Sequence, residues 1–241
     1  MPTAGILIIG NEILSGKVTD TNSPYLCREL RDLGVEVERI LTIPDVVDTI
    51  AAEVQAMSRA YDLVFTSGGV GPTHDDLTME GVASAFGRKL ALNESIRARV
   101  ERAQAREANE SQLKMAMLPE NAQLIDAGDL WFPVVIVENV YVFPGIPALL
   151  MKKFDAIRDR FRGVPFLLKK VYVKQRESDI AESLNGLLQA FPELLLGSYP
   201  KLGEESFHVL LTLESRDPSY LGDALADLLA RLGHDAVHKV E

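Results

Sequence analysis

At 241 residues, 47% hydrophobic and 25% charged, the chain has the size of one large domain or of a large domain plus a small one, and enough apolar content to bury a core without staples. Its formal net charge, 25 − 35 = −10, argues against nucleic acid as a partner, because phosphate backbones are held by clustered lysine and arginine. The single cysteine, Cys27, excludes an internal disulfide framework and a thiolate metal cluster, and no apolar run approaches the ~20 residues of a membrane span. With no basic, apolar leader at the N-terminus, the expectation is a cytoplasmic protein with no membrane partner.

Ala4 to Ile9 is a continuous apolar run closed by Gly10-Asn11-Glu12, the pattern of a central parallel strand. Ile13 to Asn22 is rich in turn formers. Asp20 or Asn22 is placed to cap a helix over Ser23 to Leu33, which Gly34 stops. Cys27 falls on an apolar position of that helix and reads as a small buried hydrophobe. Val35 to Ile43 is a second strand ended by Pro44-Asp45, and Val46 to Ala60 a second helix. Tyr61 to Phe65 reads as a short buried third strand and Met79 to Phe86 as a helix. Alternation of strand and helix predicts a three-layer α/β domain with a mainly parallel sheet. Ligands of such sheets lie beyond the carboxyl ends of the strands.

Between the third strand and its helix lies Ser67-Gly68-Gly69-Val70-Gly71-Pro72-Thr73-His74-Asp75-Asp76. Three glycines in four positions let backbone N–H groups approach a phosphate closely. Two adjacent carboxylates beside an anion-binding loop call for a cation, so Asp75 and Asp76 are the candidate metal ligands for Mg²⁺, Mn²⁺ or Co²⁺ and the candidate catalytic residues. A tight turn with helix-capping aspartates accounts for each residue singly; the density of special residues favours a site. The loop is neither a Walker A nor a Gly-x-Gly-x-x-Gly fingerprint. His74 is the one histidine placed to be a ligand. Glu12 and Asp45 are open between capping and ligand contact.

Leu90 to Met117 reads as a charged helical excursion carrying Glu94, Arg97, Arg99, Glu101, Arg102 and Arg106, solvated or lying over the site, with Met115 and Met117 as packing residues. Gln123 to Asp126 and Pro133 to Glu138 look extended, and Asn139 turns the chain into Val140 to Phe143 as a hairpin. Pro144-Gly145-Ile146-Pro147 closes that strand before a helix over Ala148 to Phe161. In it, Lys152-Lys153 reads as a solvated basic patch. After Gly163-Val164-Pro165 a βαββαβ run begins, with strands at 166–173, 194–198, 207–213 and 236–240 and helices at 177–191 and 220–232. It predicts a small α+β, ferredoxin-like domain. The domains are therefore set at 1–164 and 165–241.

Three stretches together resemble the molybdopterin-binding-domain superfamily: Gly10 to Gly16 with Asp20-Thr21-Asn22, Thr66 to Thr78, and Phe143 to Pro147. Within it they are similar to the CinA-like (competence/damage-inducible) branch and to the domain fused to eukaryotic FAD synthases. Asp126 to Pro133 is closer to the FAD-synthase-linked form, and Ala148 stands where CinA-like proteins usually carry Glu. The resemblance implies a ligand site made of Gly10, Asn11, Glu12, Asp20, Asn22 and Asp45, of Ser67, Gly68, Gly69, Gly71, Pro72, Thr73 and Thr78 in the loop, and of Pro144, Gly145 and Pro147. In the cofactor-biosynthesis branch the positions of Asp45 and Asp76 belong to a pterin site. In the CinA-like and FAD-synthase-linked branch the domain is associated with metal-dependent hydrolysis of nucleotide pyrophosphates such as ADP-ribose or FAD, with Asp75 and Asp76 metal-linked. The chain shows no C-terminal deamidase domain, so nicotinamide-mononucleotide deamidation is not expected. The partner implied is a phosphorylated small molecule, nucleotide or pterin, and the assembly a homodimer or homotrimer. Three readings stand: a divalent-metal-dependent nucleotide pyrophosphatase, a molybdopterin-binding protein of molybdenum cofactor biosynthesis, and a non-catalytic regulatory module.

Overall fold

The computed structural model describes residues 2–104, 107–204 and 206–241, with backbone alone at Gln104. It divides into two compact units, Met1–Gly163 and Val164–Glu241. Among the described residues no helix is long and apolar enough to cross a membrane.

The first unit runs β1 (Thr3–Ile9), α1 (Asn11–Leu14), α2 (Asn22–Asp32), β2 (Glu36–Ile43), α3 (Val47–Ala60), β3 (Leu63–Ser67), α4 (Thr78–Ala85), β4 (Leu90–Leu92), α5 (Glu94–Gln104), α6 (Glu110–Lys114), β5 (Met117–Pro119), β6 (Gln123–Ile125), β7 (Val134–Val137), β8 (Val140–Phe143) and α7 (Pro147–Ile157). The main sheet has the order β2-β1-β3-β8-β7-β6. β2, β1, β3 and β8 are mutually parallel, β7 runs antiparallel to β8, and β6 runs antiparallel to β7. Successive side chains of a strand point to opposite faces. In β1, Ala4, Ile6 and Ile8 join Leu26, Leu30, Leu150 and Phe154 from α2 and α7. Leu7 and Ile9 join Ile50, Val54, Met57 and Val82 from α3 and α4 on the other face. Burial on both faces is why the strand reads as an unbroken apolar run.

β2 lies on one side of β1 and β3 on the other. The sheet therefore changes direction of growth between β1 and β3, and this switch point is where open α/β sheets leave a crevice. β8 ends beside β3. β7 begins at the same edge because it runs antiparallel to β8, with Val135 opposite Val142.

Several expectations are corrected. The third strand is Leu63–Ser67, not Tyr61 to Phe65, and its last residue enters the glycine loop directly. The stretch from Leu90 to Met117 is not one helix. β4 and β5 form a two-stranded antiparallel ribbon, and α5 and α6 stand between them, α6 opened by an Asn109–Gln112 capping box. Arg106 of that stretch lies outside the described residues. The last helix ends at Ile157 and continues as a 3-10 turn, Arg158–Phe161. Cys27 is half-buried against the core rather than fully buried.

The second unit runs β9 (Leu167–Val173), α8 (Glu177–Ala190), β10 (Leu195–Pro200), β11 (Val209–Ser215), α9 (Pro218–Leu232) and β12 (Val237–Val240). Its sheet is antiparallel with the order β10-β11-β9-β12. The first and third strands of a βαββαβ chain are central, the ferredoxin-like arrangement. Ile180, Leu187, Leu221 and Leu228 pack on Val171, Val209 and Leu211 to make its core. Asp217 accepts from the N–H groups of Ser219 and Tyr220, and Pro218 fills the first helical position, so α9 starts where it does.

Candidate functional site

The glycine loop leaves β3 in the middle of the sheet, where three strand ends meet. The Gly68 N–H donates to the Phe143 carbonyl at 3.2 Å. Gly68 has φ +108°, and a Cβ there would lie 2.0 Å from the Ile9 carbonyl oxygen. A Cβ on Gly145 would come within 3.3 Å of the Gly68 Cα. Only residues without side chains let the ends of β1, β3 and β8 approach this closely. Thr78, buried at the start of α4, pins the loop: its hydroxyl donates to the Gly68 carbonyl at 2.8 Å and its N–H to the Gly69 carbonyl at 3.0 Å. The N–H groups of Gly69, Val70 and Gly71 donate to no protein acceptor among the described residues. All three residues line a cavity of about 570 Å³.

The acidic residues separate by role. Asp76 and Glu12 line the cavity, as does Pro72. The Asp76 Oδ2 accepts from the Thr73 N–H at 2.8 Å and from the Thr73 hydroxyl, which closes the loop on itself. Asp75 is not in the wall. Its carboxyl is held below the usual carboxylate range by the nearby Thr73 side chain and by its own backbone N–H. His74 is almost wholly exposed, its Nδ1 3.9 Å from the Asp75 Oδ1. Asp45 accepts from the Asn11 N–H at 2.8 Å and so ties the ends of β1 and β2 together.

Asp20, not Asn22, serves the start of α2. It accepts from the N–H groups of Asn22 and Ser23 at 2.9 and 3.1 Å, and from the Ser23 hydroxyl. Asn22 is 6% exposed, and its amide donates to the Ser67 Oγ at 2.9 Å and the Gly145 carbonyl at 2.8 Å. Its Oδ1 is buried with no partner. Asn22, Asp20 and Ser67 line a smaller cavity of about 60 Å³, which shares Glu12, Gly68, Gly145 and Pro147 with the large one. Pro144 also lines the large cavity.

The rest of the large cavity comes from residues that sequence reasoning passed over. Trp131 and Phe132, in the segment before β7, form an edge-to-face pair with centroids 5.5 Å apart. Met115 lines the wall as well and is not only a packing residue. Lys153 corrects the reading of a solvated patch. Lys152 is exposed, but Lys153 is 5% exposed in the cavity wall. Its Nζ donates to the Pro133 carbonyl at 2.6 Å and sits 4.7 Å from the centroid of the Phe132 ring. Leu150, Lys153, Phe154 and Ile157 are the buried residues of α7. Their spacing of three, one and three is one face of a helix, the signal that marks Lys153 as inward.

Burial pulls the Lys153 pKa down from the ordinary lysine value of 10.5 to about 8. Below about pH 8 both folded and unfolded chains carry the charge, and the folded state bears the full penalty of burying it. Between about pH 8 and 10.5 the folded protein has released the proton and the unfolded chain has not, so this group makes stability rise with pH. The shift corresponds to on the order of 3 kcal/mol, and loss of the bond to Pro133 offsets up to about 1.5 kcal/mol of it. Lys153→Met is therefore expected to be more stable than wild type at pH 7 by roughly 1–2 kcal/mol, with the advantage shrinking towards pH 10. Thermal midpoints of both proteins at pH 7, 8.5 and 10 check this; an advantage that does not shrink with pH would contradict it.

Among the described residues no three of His, Cys, Asp and Glu converge on one point. The carboxylates in the cavity wall are those of Glu12 and Asp76. That set does not enclose an ion by itself. It fits an ion that arrives on a ligand's phosphates and takes one or two protein carboxylates, the usual mode of Mg²⁺.

Residues 5–163 match the family described as "Probable molybdopterin binding domain", and residues 165–241 match "FAD synthase, middle domain". A protein of Archaeoglobus fulgidus is 38% identical over 214 residues, 88% of this chain and 90% of that protein. A "Probable FAD synthase" of Caenorhabditis elegans is 36% identical over 263 residues, 96% of this chain; the chain spans 50% of that relative's length. Among solved structures, the CinA protein of Thermoplasma acidophilum superposes with a TM-score of 0.62 at 28% identity, over 66% of this chain and 98% of that one. The chain belongs to the probable molybdopterin binding domain family, and carries behind that domain a segment of the FAD synthase middle-domain type.

Proposed function

We propose that the cavity takes a phosphorylated ligand with a planar ring and that the protein is a divalent-metal-dependent pyrophosphatase of ADP-ribose, FAD or a similar dinucleotide. One observation carries the reading: a single cavity joins three free backbone amides and the Asp76 carboxylate at the end of β3 to an aromatic pair at the start of β7. Those two ends are two strand spacings apart, about 10 Å, and call for a ligand with a phosphate and a ring at its extremes.

In the reaction, water attacks one phosphorus, the P–O–P bond breaks, and AMP leaves with the second phosphate monoester. The Gly69, Val70 and Gly71 N–H groups hold non-bridging oxygens and stabilise the charge that grows on them. Thr78 keeps the loop in register. Asp76 would hold Mg²⁺, Mn²⁺ or Co²⁺ arriving on the ligand's phosphates, and such an ion would supply Lewis-acid polarisation of the phosphate. Relatives named as probable FAD synthases make a flavin nucleotide a natural ligand to try, and a homo-oligomer is part of the same reading.

The test is incubation with ADP-ribose, FAD and ATP in the presence of each metal, followed by chromatography for AMP. AMP from ADP-ribose or FAD, abolished by a chelator, is the expected result. No AMP from any substrate would sink the hydrolase. A second reading, a pterin-binding protein of molybdenum cofactor biosynthesis, is favoured by the thin donor set for a metal; tight binding of a pterin without turnover is its signature.

A further inference from the structure

We propose that Lys153 is a reactive amine, one that forms an imine with the aldehyde carbon of a phosphorylated sugar held in the large cavity. This rests on the reading that the cavity takes a phosphorylated ligand, and it adds a covalent site and the chemical class of the group that reacts there.

A lysine ammonium has three donors and no acceptor. Here one donor is taken, by the neutral Pro133 carbonyl at 2.6 Å, and no carboxylate lies within ion-pair distance among the described residues. A purely structural residue at this point of α7 would be better as leucine or methionine, because an ammonium without an anion is costly to bury. Lys153 is 5% exposed and stands in the cavity wall, the one basic side chain there among the described residues. Its neighbours in that wall are apolar: the Phe132 ring centroid is 4.7 Å from the Nζ, and Leu130, Trp131 and Leu149 line the same cavity. Desolvation in an apolar pocket is what makes a lysine a nucleophile, because it favours the free amine over the ammonium. With a pKa of about 8, roughly a quarter of the group is free amine at pH 7.5, against about one part in a thousand for a lysine at 10.5.

The position suits a sugar phosphate. The free amides that hold a phosphate are on the β3 loop, and Lys153 is beside Phe132 and Pro133, at the start of β7, two strand spacings or about 10 Å away. The aldehyde carbon of an open-chain pentose 5-phosphate lies about 7 Å from its phosphorus along extended single bonds. One hydrogen-bond contact of about 3 Å at the amides closes the rest. In the reaction the Nζ lone pair attacks the aldehyde carbon and one nitrogen proton passes to the carbonyl oxygen. The C–O bond of that adduct then breaks, the oxygen leaves as water with the second nitrogen proton, and a C=N bond remains. Nothing is oxidised or reduced. Once protonated, the imine nitrogen keeps one N–H for the Pro133 carbonyl.

The experiment is reductive trapping on the full chain with cyanoborohydride, using ribose 5-phosphate, ADP-ribose and ribose as probes, read by peptide mass spectrometry. Wild type is expected to take one group per chain from ribose 5-phosphate, on Lys153, at least tenfold faster than on the exposed Lys152. Ribose, which lacks the phosphate, should label Lys153 at least tenfold more slowly, and excess AMP, which has a phosphate and no aldehyde, should slow the labelling by ribose 5-phosphate. With ADP-ribose the mass of the trapped group distinguishes the intact nucleotide from the pentose phosphate left by hydrolysis, and either on Lys153 supports the proposal. Lys153→Met should lose the fast label and keep the slow surface ones. Labelling of Lys153 no faster than of Lys152 would overturn the proposal, as would equal rates with ribose and ribose 5-phosphate. AMP release from ADP-ribose with Lys153 unlabelled overturns it while the pyrophosphatase reading stands. Phosphate-dependent labelling of Lys153 without AMP release supports it and removes the hydrolase.

Discussion

Asp76→Asn is expected to lower metal-dependent AMP release by about 100-fold or more, ~2.7 kcal/mol in the barrier, while leaving the fold intact. Two unit charges ~4 Å apart interact by ~1 kcal/mol in water and ~4 kcal/mol at an effective dielectric of ~20. A carboxylate in the cavity wall therefore repels a phosphate unless a cation lies between them. Asparagine removes the charge that the cation needs and keeps an oxygen that can accept from the Thr73 N–H, as Asp76 does now. The stability change is expected to stay within about 1 kcal/mol. Asp75 is outside the cavity wall, so Asp75→Asn should change the rate by less than threefold. Rates and thermal midpoints of both variants decide the matter. Equal losses from the two would return the metal to the pair, and full activity in Asp76→Asn would remove that residue from the chemistry.

Gly68→Ala should be the most damaging small substitution in the loop. At φ +108° alanine is strained, and its Cβ would sit 2.0 Å from the Ile9 carbonyl oxygen, which is backbone of the central strand and cannot swing away. Relief requires β1 and β3 to part at the switch point. The expected penalty is on the order of 3 kcal/mol or more, a fall in thermal midpoint of about 10 °C for a chain of this size. By contrast Gly128→Ala, at φ +61° with nothing within 4 Å of its Cβ, meets backbone strain alone and should lose roughly 1 kcal/mol. Calorimetric melts of the two variants compare them directly. Similar midpoints would mean that the strand ends separate more easily than their contact implies.

Much of the fold is legible along the chain. The apolar run of β1 and the alternation of strand and helix follow from burial on two faces of a sheet, which leaves its mark on every residue of the strand. The βαββαβ order of the second unit is legible for the same reason, since half-buried strands and one-sided helices differ in period. The reading of one helix from Leu90 to Met117 fails because β4 and β5 are three residues each. So short a strand has no period to detect, and it exists only through its partner.

At the candidate site the division has a physical cause. The sequence by itself determined which residues have special backbone freedom or charge: the loop glycines, the paired aspartates, the Pro-Gly-x-Pro turn. Those properties are local. Only the tertiary structure decided that Asp76 enters the cavity wall and Asp75 does not, because side-chain direction in a turn is set by how the loop closes, here by the Thr73 N–H donating to Asp76. Only it brought Asn22 across to Ser67 and Gly145, 45 and 123 positions away. Only it set Lys153, which the helical spacing marks as inward, against Phe132 and Pro133, because β7 runs antiparallel to β8 and so starts at the edge where the parallel strands end.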